Sequence, residues 1–392
     1  MKKVGIMIPD FEVGGMPVVA SRLLKFLKAK YDLTLIIISG DAAIKYPTYE
    51  ARVIQGPKRG SSLAAKALVF GKRYFWLKKL LAEENFAAVI SFGVLANVFN
   101  AQFERERAIL TEHNVKSVED KQWGLPGTAY DILIKKTYHL AYKTGCVSKG
   151  VADDLKQHYG LKNAITLYNP FDKASIEKKG EQPLDSKTSK LFSGNRVILS
   201  VGRLTASKQP QSLIKAFQEV AKNIPDAKLL LAGVGDQQEE LAEQIAQEKL
   251  TNKVILLGSR SDVPALMRHA YLTVLVSTNE GLPNVLLESL AQKTPVVATD
   301  IVAGPKEILS NGSEDNYFEI TTKPRHLPNG ILIPPVKPQA GRLSNSEQVL
   351  AKVLTKSLLD PDFKQSFTYN ISTFCHTEPE YVDLIEQAAK QE

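Results

Sequence analysis

Short apolar runs alternate with stretches of helical periodicity along this chain, and the alternation occurs twice. Residues 3–9 (KVGIMIP) and 33–39 (LTLIIIS) are almost continuously apolar and rich in β-branched side chains, as expected of strands covered on both faces. Between them, a turn over 10–15 leads to Pro17, which suits a first helical turn, and apolar residues then recur at helical spacing over 18–29. Further short strands are predicted over 88–91, 108–111 and 144–147, with helices near 63–83, 130–141 and 149–158. Residues 171–195 are polar and charged and read as a linker. A second series follows, with strands over 196–201, 228–232, 253–257, 272–277 and 295–299 and helices near 209–223, 236–249, 262–268, 284–292 and 304–309. Residues 311–345, with several Pro and Gly, read as an irregular surface excursion, and the last 45 or so residues as helical.

Strand and helix alternation predicts parallel sheets with helices on both faces. The expected architecture is α/β, two doubly wound Rossmann-like domains facing across a cleft. The first domain spans 1–171, with a helix at about 376–392 packing back on it. The linker is 172–195, and the second domain spans 196–375. In such folds ligands sit beyond the carboxyl ends of the strands. The 392 residues suit two domains, and no apolar run approaches the roughly 18 residues of a membrane span. Two cysteines, Cys146 and Cys375, make neither a disulfide framework nor a structural zinc site, so a reducing, cytoplasmic setting is expected.

Charge adds a question. The chain carries a net +8, but residues 1–170 hold 25 Lys+Arg against 15 Asp+Glu, and residues 171–392 hold 25 against 27. A one-sided basic surface suits an anionic partner, although a merely solvated lysine-rich face accounts for it equally. No helix-turn-helix, RRM or zinc pattern supports nucleic-acid binding.

Three segments at predicted strand ends carry chemistry. In Glu280-Gly281-Leu282-Pro283-Asn284-Val285-Leu286-Leu287-Glu288, a strand ends near Ser277 and a helix opens at Pro283-Asn284. Its first N–H groups form a natural anion site, and the carboxylates suit sugar hydroxyls. Taken alone, Glu280 is more readily a capping acid and Glu288 a solvated helix residue. In Gly202-Arg203-Leu204-Thr205-Ala206-Ser207-Lys208, the glycine admits a ligand to the backbone, Arg203 offers a planar fork for phosphate and Lys208 a point charge. Many surface loops share that composition. Val13-Gly14-Gly15-Met16 lies between the first strand and helix, and alone it is a tight turn. Neither it nor Gly233-Val234-Gly235 matches G-x-G-x-x-G, which weakens a dinucleotide-dehydrogenase reading.

Together these segments resemble glycosyltransferase family 4, the retaining enzymes of the GT-B fold. The resemblance rests on E-x7-E (Glu280 to Glu288), G-R-x4-K (Gly202-Arg203 to Lys208) and LLLAGVGD (229–236). It extends to VILLGSRSDV (254–263), TPVVATDIVAGPKEIL (294–309), VSKGVADDL (147–155) and YNPFD (168–172). It implies a glycosyltransferase that retains anomeric configuration, uses a nucleotide-diphosphate sugar (a UDP-sugar foremost) as co-substrate, and needs no metal or other cofactor. Arg203 and Lys208 would neutralise the diphosphate with N–H groups at Leu282, Asn284 and Val285, and Gly281 would form the turn. Glu288 would bind the ribose and Glu280 the donor sugar. Gly202 and Gly258-Ser259-Arg260 would lie against the nucleotide, Gly14 and Gly15 over the diphosphate, and His113 of Thr111-Glu112-His113-Asn114 toward sugar and acceptor. Two departures stand out: Met16-Pro17 follow the glycine pair where the family often has a small residue and an acid, and 311–335 is longer than a minimal member needs. Asp360-Pro361-Asp362 spells D-x-D but lies far along the chain from the site and reads as a helix start.

The first domain would then bind the acceptor, and it holds the positive excess. Lys58, Arg59, Lys66, Lys72, Arg73, Lys78 and Lys79 surround Leu68, Val69, Phe70, Tyr74, Phe75, Trp76 and Leu77. Basic residues interleaved with aromatics suit an anionic membrane surface or a lipid-linked diphosphate; aromatics in the core with solvated lysines would look the same. The expected partners are the nucleotide sugar, a glycan or lipid-linked glycan and an anionic membrane, with the enzyme cytoplasmic and peripheral at the inner face, building envelope or extracellular polysaccharide. The alternatives are a soluble transferase making a storage glucan or small glycoside, and a non-catalytic GT-B subunit.

Overall fold

The computed structural model describes residues 1–12, 14–123, 125–314, 316–339 and 341–391, without the side chains of Leu63, Ala64, Lys66, Ala67 and residues 120–126. The chain forms two compact units: Met1–Phe171 with His376–Glu392, and Asp172–Cys375.

The first unit is built on seven parallel strands: β1 (Lys3–Ile8), β2 (Asp32–Ile37), β3 (Arg52–Gln55), β4 (Ala88–Phe92), β5 (Ala108–Glu112), β6 (Lys143–Cys146) and β7 (Ala164–Thr166). Their order is β3-β2-β1-β4-β5-β6-β7. Alternate side chains of one strand serve opposite faces. Ile6, Ile8, Leu35 and Ile37 pack with the helix Gly15–Leu27, whereas Met7, Ile36 and Ile38 pack with Leu77 and Leu81 of the helix Leu63–Glu84 and with Phe99. Each such fully buried side chain contributes about 1.5–3 kcal/mol. The helix Glu378–Ala388 completes the first face, placing Tyr381, Leu384, Ile385 and Ala388 in the same cluster as Val4 and Leu23. Lys2 and the Tyr31 hydroxyl hold Glu386 at 2.5 and 2.9 Å. Including this segment, the first unit holds 26 Lys+Arg against 20 Asp+Glu, and the second 24 against 22. The acidic C-terminal segment therefore removes part of the excess that residues 1–170 show alone.

The second unit contains β8 (Arg196–Val201), β9 (Ala227–Ala232), β10 (Val254–Gly258), β11 (Leu272–Leu275), β12 (Val296–Thr299), β13 (Arg325–Leu327) and β14 (Gly330–Ile333). The order is β10-β9-β8-β11-β12-β14-β13, parallel except for β13 against β14. The helix Pro210–Asn223 opens on its proline and buries Leu213, Ile214, Phe217 and Val220 against the sheet. Two expectations change here. Residues 172–195, expected as a linker, carry the helices Lys173–Gly180 and Ser186–Phe192 and belong to this unit. Residues 311–345, expected as an irregular excursion, contain a hairpin whose β14 is an inner, fully buried strand.

Polar ties explain why that excursion stays in place. In the hairpin turn, the buried Asn329 amide donates to Ile308 O at 3.0 Å and accepts from Asn370 N and the Thr368 hydroxyl, each at 2.9 Å. Lys306 and Asp300, both buried, approach to 3.5 Å. Lys306 donates to Asn316 O (3.1 Å) and Glu319 O, and Asp300 accepts from Thr321 N–H at 2.6 Å. Residues 316–321 are thus fastened beneath the loop after β12. Burial raises the Asp300 carboxyl pKa, while the Thr321 N–H and Lys306 oppose that shift. No helix among the described residues is long and apolar enough to cross a membrane.

Candidate functional site

The carboxyl ends of β8 to β12 carry the segments singled out in the second unit. Backbone bonds lace the loops together: Gly202 N to Ala232 O (3.0 Å), Leu204 N to Val234 O (3.0 Å) and Gly233 N to Gly258 O (2.8 Å). Only glycine fits at 233, where a Cβ would lie 1.8 Å from Gly202 O. Thr278 N–H reaches Ser207 O at 2.9 Å, joining the loop after β11 to the loop after β8.

This lacing brings together residues 72 positions apart: Lys208 Nζ pairs with Glu280 Oε1, which also accepts from the Ser277 hydroxyl at 2.8 Å. Their side chains are 23% and 13% exposed, so the pair is screened from bulk water but open to a ligand. Ser277 is held by Thr299, whose hydroxyl accepts from Ser277 N (3.0 Å) and donates to Ser277 O (2.9 Å). Arg203 is exposed, and among the described residues its guanidinium has no hydrogen bond or ion pair.

Gly281, Leu282 and Pro283 are buried, and the helix Asn284–Ala291 follows without a side-chain cap. Gly304, at φ +87°, makes that turn possible from the other side, since a Cβ there would meet Pro283 Cδ at 2.5 Å. Asn284 and Val285 open the helix, and Glu288 lies one turn in, half-buried. Gly258 ends β10 and Ser259 follows. Arg260 is turned onto carboxylates: Asp262 Oδ1 (2.8 Å) and Oδ2 (2.6 Å), and Asp185 Oδ2 (3.2 Å). Hydrogen bonds from the Thr188 side chain and backbone, then from Arg260, hold the Asp185 carboxyl below the usual range. Asp360 and Asp362 sit after the helix Asn345–Leu359, with Asp362 N–H turned onto Asp360 Oδ1 at 3.0 Å. The segment joins the end of that helix to the start of the 3₁₀ helix Phe363–Ser366, which Asp362 directly precedes.

In the first unit, Gly14 and Gly15 open the helix Gly15–Leu27; Val13 lies outside the described residues. His113 follows β5, half-buried and stacked on Phe92 with ring centroids 5.4 Å apart. Its N–H donates to Glu112 Oε1 at 3.0 Å, and Nε2 lies 3.1 Å from Thr111 Oγ1. A polar cluster that sequence reasoning missed lies beside it. Buried Lys116 bridges Glu112 (3.2 Å) and Glu119 (2.5 Å), and the Tyr138 hydroxyl donates to Glu112 Oε2 at 3.2 Å. The Glu112-x3-Lys116-x2-Glu119 spacing was its visible signal. Burial first, and Lys116 second, lower the His113 pKa to about 3, so the imidazole is neutral at ordinary pH.

The helix Leu63–Glu84 sorts its basic and aromatic residues. Leu77 is buried, Trp76 packs under Gly56, and Tyr74 stacks edge-on to Phe99 and Phe103. Lys72, Lys78 and Lys79 are exposed, as are Leu68 (62%), Phe70 and Phe75 (71%). Arg73, expected with the lysines, turns inward to Pro57 O and the Ser39 hydroxyl, each at 3.1 Å. The Lys66 side chain lies outside the described residues.

Similarity to known proteins extends over both units. Residues 13–174 match the family model described as Glycosyltransferase Family 4, and residues 181–341 match that described as Glycosyl transferases group 1. The chain is 30% identical over 223 residues to an uncharacterized glycosyltransferase of Methanocaldococcus jannaschii, covering 55% of this chain and 54% of the relative. It is 28% identical over 320 residues, 79% of this chain and 84% of the relative, to a Campylobacter jejuni protein. That protein is named N-acetylgalactosamine-N,N'-diacetylbacillosaminyl-diphospho-undecaprenol 4-alpha-N-acetylgalactosaminyltransferase. The crystal structure of Anabaena HepE in complex with UDP-glucose shares the fold, with TM-score 0.71 and 20% identity over 100% of this chain and 99% of that one. The chain therefore resembles glycosyltransferases over both domains, Family 4 in the first and group 1 in the second, and has the GT-B fold.

Proposed function

We propose that this chain transfers a sugar, with retention, from a nucleoside-diphosphate sugar (UDP-linked foremost) to a hydroxyl of an envelope or extracellular glycan carried on a lipid diphosphate. The observation that carries the reading is the Lys208–Glu280 pair together with Arg203, of the same loop as Lys208, which has no hydrogen bond or ion pair among the described residues. A diphosphate arriving at this edge meets the exposed Arg203 cation and a second cation, Lys208, that it takes from Glu280. The exchange releases the Glu280 carboxylate to accept from donor-sugar hydroxyls while Ser277 holds it in place. Arg203, Lys208 and the N–H groups at Leu282, Asn284 and Val285 then stabilise the charge that develops on the departing diphosphate. Glu288 takes the ribose hydroxyls, and Gly202 with Gly258-Ser259-Arg260 lies against the nucleotide, the Arg260 plane being fixed by Asp262 and Asp185.

On this reading cationic side chains supply the electrostatics that other transferases draw from a metal. The departing phosphate takes the proton of the acceptor hydroxyl on the same face, so the protein contributes position rather than a nucleophile. The first domain takes the acceptor, with Gly14 and Gly15 contacting phosphate and His113 a hydroxyl. The exposed stripe Leu68, Lys72, Phe75, Lys79 suits an anionic inner-membrane surface. The diphospho-undecaprenol in the Campylobacter relative's name supports a lipid-linked acceptor.

A panel of UDP-, GDP- and ADP-sugars, scored by thermal shift and then by hydrolysis, tests the donor half. A bound nucleotide raises Tm by mass action. One base should raise it well above the others and its sugar should be hydrolysed slowly; no shift with any of them overturns the catalytic reading.

A further inference from the structure

Thr111 stands between β4 and the His113 ring. Its Oγ1 lies 2.7 Å from Ser91 O and 3.1 Å from His113 Nε2. A threonine hydroxyl has one proton and two lone pairs. The Ser91 carbonyl can only accept, so the proton goes there, and what Oγ1 turns toward the imidazole is a lone pair. Nε2 must therefore carry the ring hydrogen. A neutral imidazole has only one N–H, so Nδ1 is left as a bare acceptor. Nδ1 makes no hydrogen bond among the described residues.

We infer that Thr111 is a positioning residue: it fixes the Nε2–H tautomer of His113, so that Nδ1 accepts a hydrogen bond from a hydroxyl of the bound sugar or acceptor. The hydroxyl rests on the glycosyl-transfer reading above; the tautomer does not.

The surroundings keep the ring neutral, as a fixed tautomer requires. From β4, Phe92 stacks on it; from β5, Glu112 holds its backbone N–H. Glu112 is itself engaged by Lys116, from the helix Lys116–Trp123, and by Tyr138. Glu119, of the same helix, is bound by Lys116 and by the Asn114 amide at 2.9 Å. Each carboxylate near the imidazole already has a cation or donor, so burial first and the Lys116 ammonium second oppose a second ring proton. His113 is thereby an orienting acceptor and not a base that titrates near neutrality.

The test is long-range ¹H–¹⁵N correlation on the histidine-labelled full chain, with the signal assigned through His113→Gln. The native protein should show the Nε2–H pattern with no titration from pH 5 to 8. Thr111→Val should populate both tautomers and lower kcat/KM about tenfold, the scale of one net hydrogen bond. Thr111→Ser should restore both properties, and it decides the matter if the valine variant does not fold. An Nδ1–H pattern in the native protein overturns the inference, as does an unchanged tautomer in Thr111→Val. If the native tautomer is as stated but no nucleotide sugar is turned over, the glycosyl-transfer reading and the hydroxyl assigned to Nδ1 fall, while Thr111 keeps its control of the ring.

Discussion

The strand ends of the two domains treat charge in opposite ways. In the first domain, at the end of β5, charges are paired off: Lys116 is buried between Glu112 and Glu119, and His113 beside them is neutral. In the second, at the ends of β8 and β11, Arg203 is exposed and has no hydrogen bond or ion pair among the described residues, and Lys208 is paired with the part-exposed Glu280. The first domain has the larger net charge, 26 Lys+Arg against 20 Asp+Glu, yet its strand end at β5 offers no free cation among the described residues. The second, at 24 against 22, does. Net charge therefore describes a surface, while the availability of a single side chain is what the proposed anion site rests on.

The sharpest way to break that contrast is Arg203→Ala. Among the described residues the exposed guanidinium has no hydrogen bond or ion pair to lose, so Tm without ligand should stay within the small range of surface substitutions. Turnover should fall about 10²–10³-fold if the group stabilises a departing diphosphate. Steady-state kinetics with the donor that the panel selects, beside a melting curve, reads both. Unchanged turnover would leave the second domain's strand ends no more specialised for anions than the first's.

Glu280→Gln comes next, because it separates the two partners of the pair. The amide keeps the Ser277 hydrogen bond but no longer competes for Lys208. Nucleotide binding should tighten, by a few-fold if the pair resembles other partly screened ion pairs. Turnover should fall roughly tenfold to a hundredfold, as a charged acceptor for the sugar is lost. Calorimetry with the free nucleoside diphosphate measures the first and kinetics the second. Weaker binding would show that Glu280 supports Lys208 rather than restraining it.

How much of this was legible in the sequence follows from the kind of signal each feature leaves. β2 was readable because Leu33, Leu35, Ile36 and Ile37 make a nearly continuous apolar run broken only by Thr34, and the segment around Glu280 because a turn and a helix start follow a strand. The helix Val94–Phe103 was hidden by β4, since strand and helix together make one apolar stretch with no change of period. β14 was hidden by its setting: Pro328-Asn329-Gly330 looks like loop composition, and only the pairing with β12 shows that it introduces an inner strand. The Lys208–Glu280 pair and the inward turn of Arg73 depend on which loop meets which, and local spacing does not record that.

Arg73 also provides the finest test of what the first domain's surplus is for. Lys72 and Arg73 are sequence neighbours on one helix, and any argument from composition treats them alike. The fold does not: Lys72 points to solvent beside Leu68 and Phe75, whereas Arg73 is bound to Pro57 O and the Ser39 hydroxyl. If the stripe docks on an anionic membrane, Lys72→Ala should weaken binding to anionic vesicles by about fivefold, since each such charge near the surface contributes about 1 kcal/mol. Phe75→Ser should weaken it by a similar factor through lost apolar insertion. Arg73→Ala should leave vesicle affinity unchanged and lower Tm instead, because it opens a packed contact. Sedimentation with vesicles of graded anionic content distinguishes these outcomes. Equal losses for Lys72 and Arg73 would mean that the domain attracts the membrane as a diffuse charge, without a face, and no binding by the native chain would remove the membrane from the reading altogether.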